Sequence, residues 1–415
     1  MRRFGALATL LRWLGPWSKG ASAPGRVLRE TWTLRQGARC GHRAFVAGDA
    51  APSGSPPEGR RPHTRPSGSP PEGRRPHAGP SGPPRLEAYL YRSGSPDRDP
   101  LGVWLVAPGL HFLGPDDPRL DRFCRVLAEA GFWVLAPFLP GYVDLLVAAS
   151  AADDLELSAR ALLARAPARR LSLFSVSFGS WPALEVAARL GDAADGVVTF
   201  GGYADFDAAV RFCADGVMRA DGREIRLARD PLNLPALFLN LLPFLDGIVG
   251  DTRDLERALR EIAHQTWGKP ELKAPGRLEP FARNLVSSLP EQQHELFLVG
   301  CGVLPGAVDL VEGALGRSGD SFGFASPRAA VERLTCPVVV CHGQDDDVIP
   351  YGEAHKLYAL VSRHVPARLL VTGLYGHTGA EKPKPADALR EARVLLEIAA
   401  TLAAGGELRE RLRAT

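Results

Sequence analysis

From residue 86 onward, short apolar runs alternate with longer segments in which apolar side chains recur every three or four positions. The short runs predict buried strands, and the longer segments predict amphipathic helices. Strands are predicted at 86–91, 101–106, 133–136, 171–174, 196–200, 337–341 and 368–371, and helices at 120–130, 155–164, 181–190 and 386–402. This alternation is typical of an α/β protein with a mostly parallel sheet and helices on both faces.

The strand rhythm stops between residues 203 and 335. Leu255, Leu259 and Ile262 recur there at helical spacing, and the segment 231–250 is rich in leucine. A long segment of this kind between two sheet strands predicts a large helical cap. We therefore assign 86–202 and 336–405 to an α/β core and 203–335 to a helical cap insertion.

The first 85 residues contain a low-complexity stretch in which residues 52–63 recur identically at 66–77. A tract of Pro, Gly, Ser and Arg buries too little apolar surface to offset the entropy of the chain. The sequence therefore predicts a disordered N-terminal tail over 1–85, and we expect the protein to stay folded and active without it.

Charge and cysteine content exclude several classes of function. The 415 residues include 50 basic and 47 acidic side chains, a near balance that gives no electrostatic basis for binding nucleic acid. The six cysteines show no Cys-x-x-Cys spacing, which predicts reduced thiols and no zinc site. No metal or organic cofactor is implied.

The N-terminus leaves two compartments open. No stretch is long and apolar enough to predict a transmembrane segment, and we expect a cytoplasmic protein. The minor alternative is export through a weak signal, because Arg2 and Arg3 precede an apolar stretch and 21–23 resembles a cleavage site.

The most informative motif is Ser175-Val176-Ser177-Phe178-Gly179, at the end of a predicted strand and directly before a predicted helix. A serine on such a sharp turn has its hydroxyl exposed at the start of the helix, as in a nucleophile elbow. A serine hydroxyl becomes a good nucleophile only when a base removes its proton and a carboxylate orients that base.

Candidates for both partners follow further along the chain. Asp345, Asp346 and Asp347 come after one late strand, and Gly376-His377 comes after the next. We assign Ser177 as the nucleophile and His377 as the base. The orienting acid is one of the three consecutive aspartates, and the other two are expected to cap the following helix or to face solvent.

Three segments together resemble the α/β-hydrolase superfamily over roughly 86–402: the elbow 175–179, the acid turn 342–350 and the histidine loop 374–377. The resemblance selects Asp346 as the acid and implies that the backbone N–H groups of Leu110 and Phe178 hold the oxyanion. One departure is Ser175, which stands where the family's first elbow glycine is expected.

The resemblance implies a serine hydrolase that cleaves a carboxylic ester or related acyl bond in a small molecule with an apolar part. Two alternatives stay open. A protein with the same fold could bind an apolar ligand or a partner without turnover, or the same triad could hydrolyse a lactone or a C–C bond. A general esterase and an enzyme similar to dienelactone hydrolases both fit the motifs.

Overall fold

The computed structural model describes residues 2–14, 23–37, 44–47, 85–94, 99–220, 222–248, 250–376, 379–380 and 388–413. Its strands are β1 Val27–Gly37, β2 Ala44–Ala47, β3 Arg85–Ser93, β4 Val103–Ala107, β5 Trp133–Pro137, β6 Leu171–Val176, β7 Ala194–Phe200, β8 Val217–Ala220, β9 Arg223–Arg226, β10 Val338–Gly343, β11 Ala367–Thr372, β12 Tyr375–Gly376 and β13 Gly379–Ala380.

The α-helices fall between and after these strands. They are α1 Arg2–Leu14, α2 Pro118–Glu129, α3 Pro140–Val143, α4 Ser150–Arg165, α5 Ser180–Leu190, α6 Phe206–Asp215, α7 Leu234–Leu241, α8 Arg253–Thr266, α9 Glu279–Val286, α10 His294–Gly300, α11 Ala307–Ser318, α12 Arg328–Val331, α13 Gly352–Val361, α14 Ala388–Ala403 and α15 Leu408–Arg413. Every strand and helix predicted from residue 86 onward is present, with ends shifted by a few residues.

The main sheet has nine strands in the described part of the chain, in the order β11-β10-β7-β6-β4-β5-β3-β1-β2. Neighbours from β11 to β5 are parallel, whereas β3 is antiparallel to β5 and β1 is antiparallel to β3. Without β2, this order and the single reversed strand are those of the α/β-hydrolase fold. The predicted fold class is therefore confirmed.

Apolar side chains cover both faces of the sheet. On one face, Leu155 of α4 and Leu184 of α5 belong to the larger buried cluster. On the other face, Leu127 of α2, Leu10 of α1 and Leu402 of α14 belong to a second cluster. A parallel sheet buried on both faces is stable only when helices cover each of them, as they do here.

The N-terminal prediction is wrong for the described residues before β3. Strand β1 pairs with β3 over nine positions, from Val27 opposite Ser93 to Arg35 opposite Arg85. Trp32 and Leu34 on β1 are buried, because they alternate with polar residues and face the core. Helix α1 buries Ala6 and Leu10 against the fold. The repeat at 52–77 lies outside the described residues.

The C-terminal boundary of the core and the content of the segment 203–335 also differ from those expected. The folded chain continues past residue 405 into α15, where Leu408 and Leu412 are buried. The segment 203–335 is mainly helical but also contains the antiparallel hairpin β8–β9. Among the described helices, none combines the length and apolar character needed to cross a lipid bilayer.

Candidate active site

A cavity of about 500 Å³ lies where the loops after β4, β6 and β10 meet residues of the segment 203–335. Ser177, Leu110, Phe178 and Val348 all contribute to its wall. The carboxyl ends of parallel strands lie at one edge of the sheet, which is where ligands of open α/β folds bind. Its size falls within the range of small-molecule pockets.

Ser177 directly follows β6 and begins a single 3-10 turn that leads into α5. Its φ is +52°, in the left-handed region that a residue with a side chain adopts only under constraint. The side chain is nearly buried, at 5% exposure, and it faces the cavity. This strained strand-to-helix turn is the geometry that the sequence motif predicts.

The elbow is tight because it packs against the end of β4. A Cβ atom added to Gly179 would overlap the carbonyl oxygens of Ala107 and Pro108, so only glycine fits at this position. Ser175 stands at the first elbow position, where it is fully buried. The family's usual glycine is therefore not required at residue 175.

The two residues predicted to hold the oxyanion line the same cavity as Ser177. Phe178 lies in the first turn of its helix, where an N–H group has no partner within the helix. Its carbonyl oxygen accepts a hydrogen bond of 2.8 Å from the buried hydroxyl of Tyr142 on α3. Tyr142 therefore fixes the peptide unit beside the predicted oxyanion donor, and no local sequence pattern predicts this contact.

The structure distinguishes the three consecutive aspartates. Asp346 is 4% exposed, and its Oδ1 atom accepts hydrogen bonds of 2.9 Å from the backbone N–H groups of Val348 and Ile349. Its Oδ2 atom lies 3.5 Å from Nε2 of the buried His342. Asp345 is exposed, as expected for one of the two remaining aspartates. His377, the predicted base, lies outside the described residues.

Asp347 neither caps a helix nor faces solvent, which corrects the prediction for it. Its carboxylate binds the ammonium group of Lys273, which lies 2.8 Å from Oδ2 of Asp230. The Asp230 N–H also donates to the Asp347 carbonyl oxygen, at 2.7 Å. Burial acts to lower the pKa of Lys273, but the hydrogen bonds to the two carboxylates outweigh it and the pKa is raised. We call Lys273, Asp230 and Asp347 the lysine cluster.

The lysine cluster connects the segment 203–335 to the turn that contains Asp346. Lys273 and Asp230 both line the cavity, whereas Asp347 belongs to the loop after β10. No sequence motif predicts the cluster, because its three members are separated from one another along the chain by more than forty residues. Only the fold brings them together.

Helix α7 has two different faces. Leu234, Leu239 and Leu241 are buried among apolar neighbours, whereas Leu237 and Asn240 line the cavity. The Asn240 amide accepts from the Val147 N–H at 2.7 Å and donates to the Leu145 carbonyl oxygen at 2.8 Å. Leu145 has a φ of +61°, so Asn240 holds a strained loop at the cavity wall.

His111 also lines the cavity, one residue beyond Leu110. Its ring stacks on Phe112 with centroids 4.6 Å apart and lies 5.4 Å from the ring of Trp267. Burial lowers the pKa of His111 to about 4, Asp117 acts to raise it, and Arg119 and His264 act to lower it further, so the imidazole is neutral at pH 7. Asp117 caps α2 and also binds the Arg119 side chain.

No group of three or more His, Cys, Asp or Glu side chains in the described residues could hold a metal ion. The residues that line the cavity instead supply hydroxyl, imidazole, carboxylate, ammonium, guanidinium and amide groups next to apolar walls. Such a site can bind a small molecule with an apolar part and present a serine hydroxyl to it.

No protein-family model matches the sequence, and no curated protein matches it. Solved structures with similar folds include an acylaminoacyl peptidase from Pyrococcus horikoshii, at 10% identity and a TM-score of 0.36 over 76% of this chain and 38% of the peptidase. Thus the chain spans about two fifths of that protein.

A brefeldin A esterase, a bacterial homologue of human hormone-sensitive lipase, matches at 14% identity and a TM-score of 0.44, over 99% of this chain and 87% of the esterase. A 2-hydroxy-6-oxo-6-phenylhexa-2,4-dienoate hydrolase from Rhodococcus sp. strain RHA1 matches at 16% identity and a TM-score of 0.38, over 76% and 95%. The strand order and the elbow of the chain itself define it as a protein with the α/β-hydrolase fold.

Proposed function

We propose that the protein is a serine hydrolase that cleaves a carboxylic ester or a related acyl bond through an acyl-enzyme intermediate. The observation that carries this proposal is Ser177, strained at φ +52° on the elbow and facing a cavity of about 500 Å³. A buried serine that only filled space would not need this backbone conformation.

In the proposed reaction, the Oγ atom of Ser177 attacks the carbonyl carbon while His377 takes the hydroxyl proton. The backbone N–H groups of Leu110 and Phe178 stabilise the negative charge on the carbonyl oxygen. His377 then gives the proton to the leaving alcohol oxygen, and the C–O bond breaks. Water attacks the acyl-enzyme, His377 takes its proton, and the free acid leaves with Ser177 restored.

Asp346 is proposed to orient His377. Support comes from the burial of Asp346 and from the two backbone N–H groups that donate to its Oδ1 atom and so fix the carboxylate. The Oδ2 atom accepts from neither of them and lies on the side of His342. A carboxylate held in one orientation is what a base needs to keep its tautomer during proton transfer.

The apolar part of the cavity is proposed to receive the acyl group. Phe178, Phe206, Val210 and Leu237 line it, and the last three belong to the segment 203–335. We propose that this segment acts as a cap that selects substrates, and that the catalytic groups lie on the turns and loops that follow the strands of the sheet.

The test is hydrolysis of p-nitrophenyl esters of graded acyl length by the full chain and by Ser177→Ala. We expect loss of at least about 10³-fold in kcat for Ser177→Ala, by analogy with removal of other triad members. Ser180→Ala, on the neighbouring buried serine, is the matched control and should retain activity. Equal rates for Ser177→Ala and the wild-type protein would exclude the proposed nucleophile.

Two outcomes would favour the alternatives. A folded wild-type protein without hydrolytic activity that binds long-chain fatty acids would favour an apolar-ligand binder. Cleavage of lactones or of vinylogous 1,5-diketones, but of no open-chain ester, would keep the Ser177 chemistry and change the bond.

A further inference from the structure

We propose that His111 determines specificity by donating its Nε2–H group to an oxygen acceptor of the substrate near the carbonyl that Ser177 attacks. The inference rests on the proposed function and adds a substrate class to it. The preferred substrates are esters with a second oxygen acceptor, such as an alkoxy or keto group, in place of a purely hydrocarbon acyl chain.

The tautomer of His111 follows from its backbone contact. The N–H group of Leu113 donates to Nδ1 of His111 at 3.1 Å, so Nδ1 carries a lone pair. In a neutral imidazole the other nitrogen then carries the proton. His111 therefore presents an N–H donor from Nε2, and it cannot act as a base without giving up the bond to Leu113.

The Nε2–H group has a poor partner within the protein. Its nearest described carboxylate oxygen, Oδ2 of Asp117, lies 3.5 Å away, beyond the usual range of 2.7–3.2 Å for N–H···O bonds. The same Oδ2 atom already accepts from the Arg119 guanidinium at 2.8 Å, and Oδ1 accepts from the Arg119 N–H at 2.8 Å. A substrate oxygen can therefore compete for this proton.

The ring is held in place by its neighbours. Phe112 stacks on it at an interplanar angle of 23°, and Trp267 covers it from the segment 203–335. The indole N–H of Trp267 is itself bonded to the Leu232 carbonyl oxygen at 2.8 Å. His111 thus supplies a fixed donor between aromatic rings and the Asp117 carboxylate, and a hydrocarbon substrate would bury that donor without a good partner.

The first experiment compares two esters of similar shape, p-nitrophenyl methoxyacetate and p-nitrophenyl butyrate, which differ by an ether oxygen in place of a methylene group. We measure the ratio of their kcat/KM values for the wild-type protein and for His111→Phe. Differences in intrinsic reactivity cancel in this comparison. The ratio should fall by about 5- to 100-fold in His111→Phe, the range for leaving a buried donor unpaired.

Two variants control this result. His264→Phe changes a histidine that packs on Phe112 at 4.3 Å but does not line the cavity, and its ratio should equal that of the wild-type protein. His111→Gln keeps an N–H donor, so its ratio of kcat/KM values should lie between those of His111→Phe and the wild-type protein. An unchanged ratio in His111→Phe, with hydrolysis still dependent on Ser177, overturns the inference and leaves the proposed function standing.

A second measurement needs no turnover. Nitrogen-15 NMR of histidine-labelled protein should find His111 neutral at pH 7 and protonated on Nε2. A ring protonated on Nδ1 would place no N–H donor at Nε2 and would overturn the inference whatever the activity. Absence of any hydrolysis that depends on Ser177 would contradict the proposed function and this inference with it.

Discussion

Replacing Lys273 by Met tests whether the lysine cluster holds the acid turn to the segment 203–335. The ammonium group lies between the carboxylates of Asp230 and Asp347, whose side chains are only 9% and 16% exposed. Methionine has a similar length but no charge, so the variant leaves two nearly buried carboxylates close together and unpaired by Lys273.

The magnitude follows from burial. Removing one partner of a fully buried ion pair costs about 3–5 kcal/mol, and we expect about 3 kcal/mol here because the Lys273 side chain is 19% exposed. The kcat value should also fall, by about tenfold, because Asp347 is adjacent to Asp346 and a looser turn misplaces the carboxylate that we propose orients the base.

The assay is urea unfolding at pH 7, followed by tryptophan fluorescence, together with ester hydrolysis. Lys273→Arg keeps the charge and should recover most of both properties, whereas Lys273→Met combined with Asp347→Asn should be more stable than Lys273→Met alone. The raised pKa of Lys273 means that its stabilising effect is complete below the usual value of 10.5 and is lost as the pH rises from there through the folded-state pKa. An unfolding midpoint for Lys273→Met equal to that of the wild-type protein would refute this reasoning.

Three other variants test separate parts of the account. Tyr142→Phe leaves the Phe178 carbonyl without its 2.8 Å hydrogen bond and should lower kcat about tenfold with little change in KM, whereas equal changes in both would contradict a role at the oxyanion. Trp32→Ala should lower the free energy of unfolding by about 3–5 kcal/mol in a urea titration, and a neutral result would contradict the packing of β1. His111 has a lowered pKa, so it destabilises the folded state as the pH falls from about 6.5 to about 4. The free energy of unfolding of the wild-type protein minus that of His111→Phe should therefore fall as the pH is lowered over that range. A constant difference would be inconsistent with a buried neutral ring.

Most of the sheet could be predicted from sequence because its central strands are short apolar runs. β6 and β10 are buried on both faces and appear as short stretches in which apolar residues predominate. β1 is harder to predict, because it is an antiparallel strand near the edge of the sheet, where apolar and polar residues alternate. It also lies just before a long low-complexity segment. The alternation at Thr31, Trp32, Thr33 and Leu34 was the available signal.

The candidate site likewise has features that a local sequence pattern predicts and features that depend on long-range contacts. Local chemistry predicts the position of Ser177, since an elbow is specified by five consecutive residues. The lysine cluster and the Tyr142 contact join residues far apart in the chain, and no local pattern encodes such contacts. Three consecutive aspartates are equivalent in a local pattern, so only the resemblance selects Asp346 from sequence, whereas in the structure Asp345, Asp346 and Asp347 differ in burial and in partners.

The most direct test of the central claim is labelling with a fluorophosphonate probe, followed by mass-spectrometric mapping of the modified peptide. The account predicts one equivalent of label on Ser177 in the wild-type protein and no label in Ser177→Ala or His377→Ala. Ser175 and Ser180, the neighbouring serines, should remain unmodified. A folded wild-type protein that takes up no label, or label on another serine, would contradict the assignment of Ser177 as an activated nucleophile.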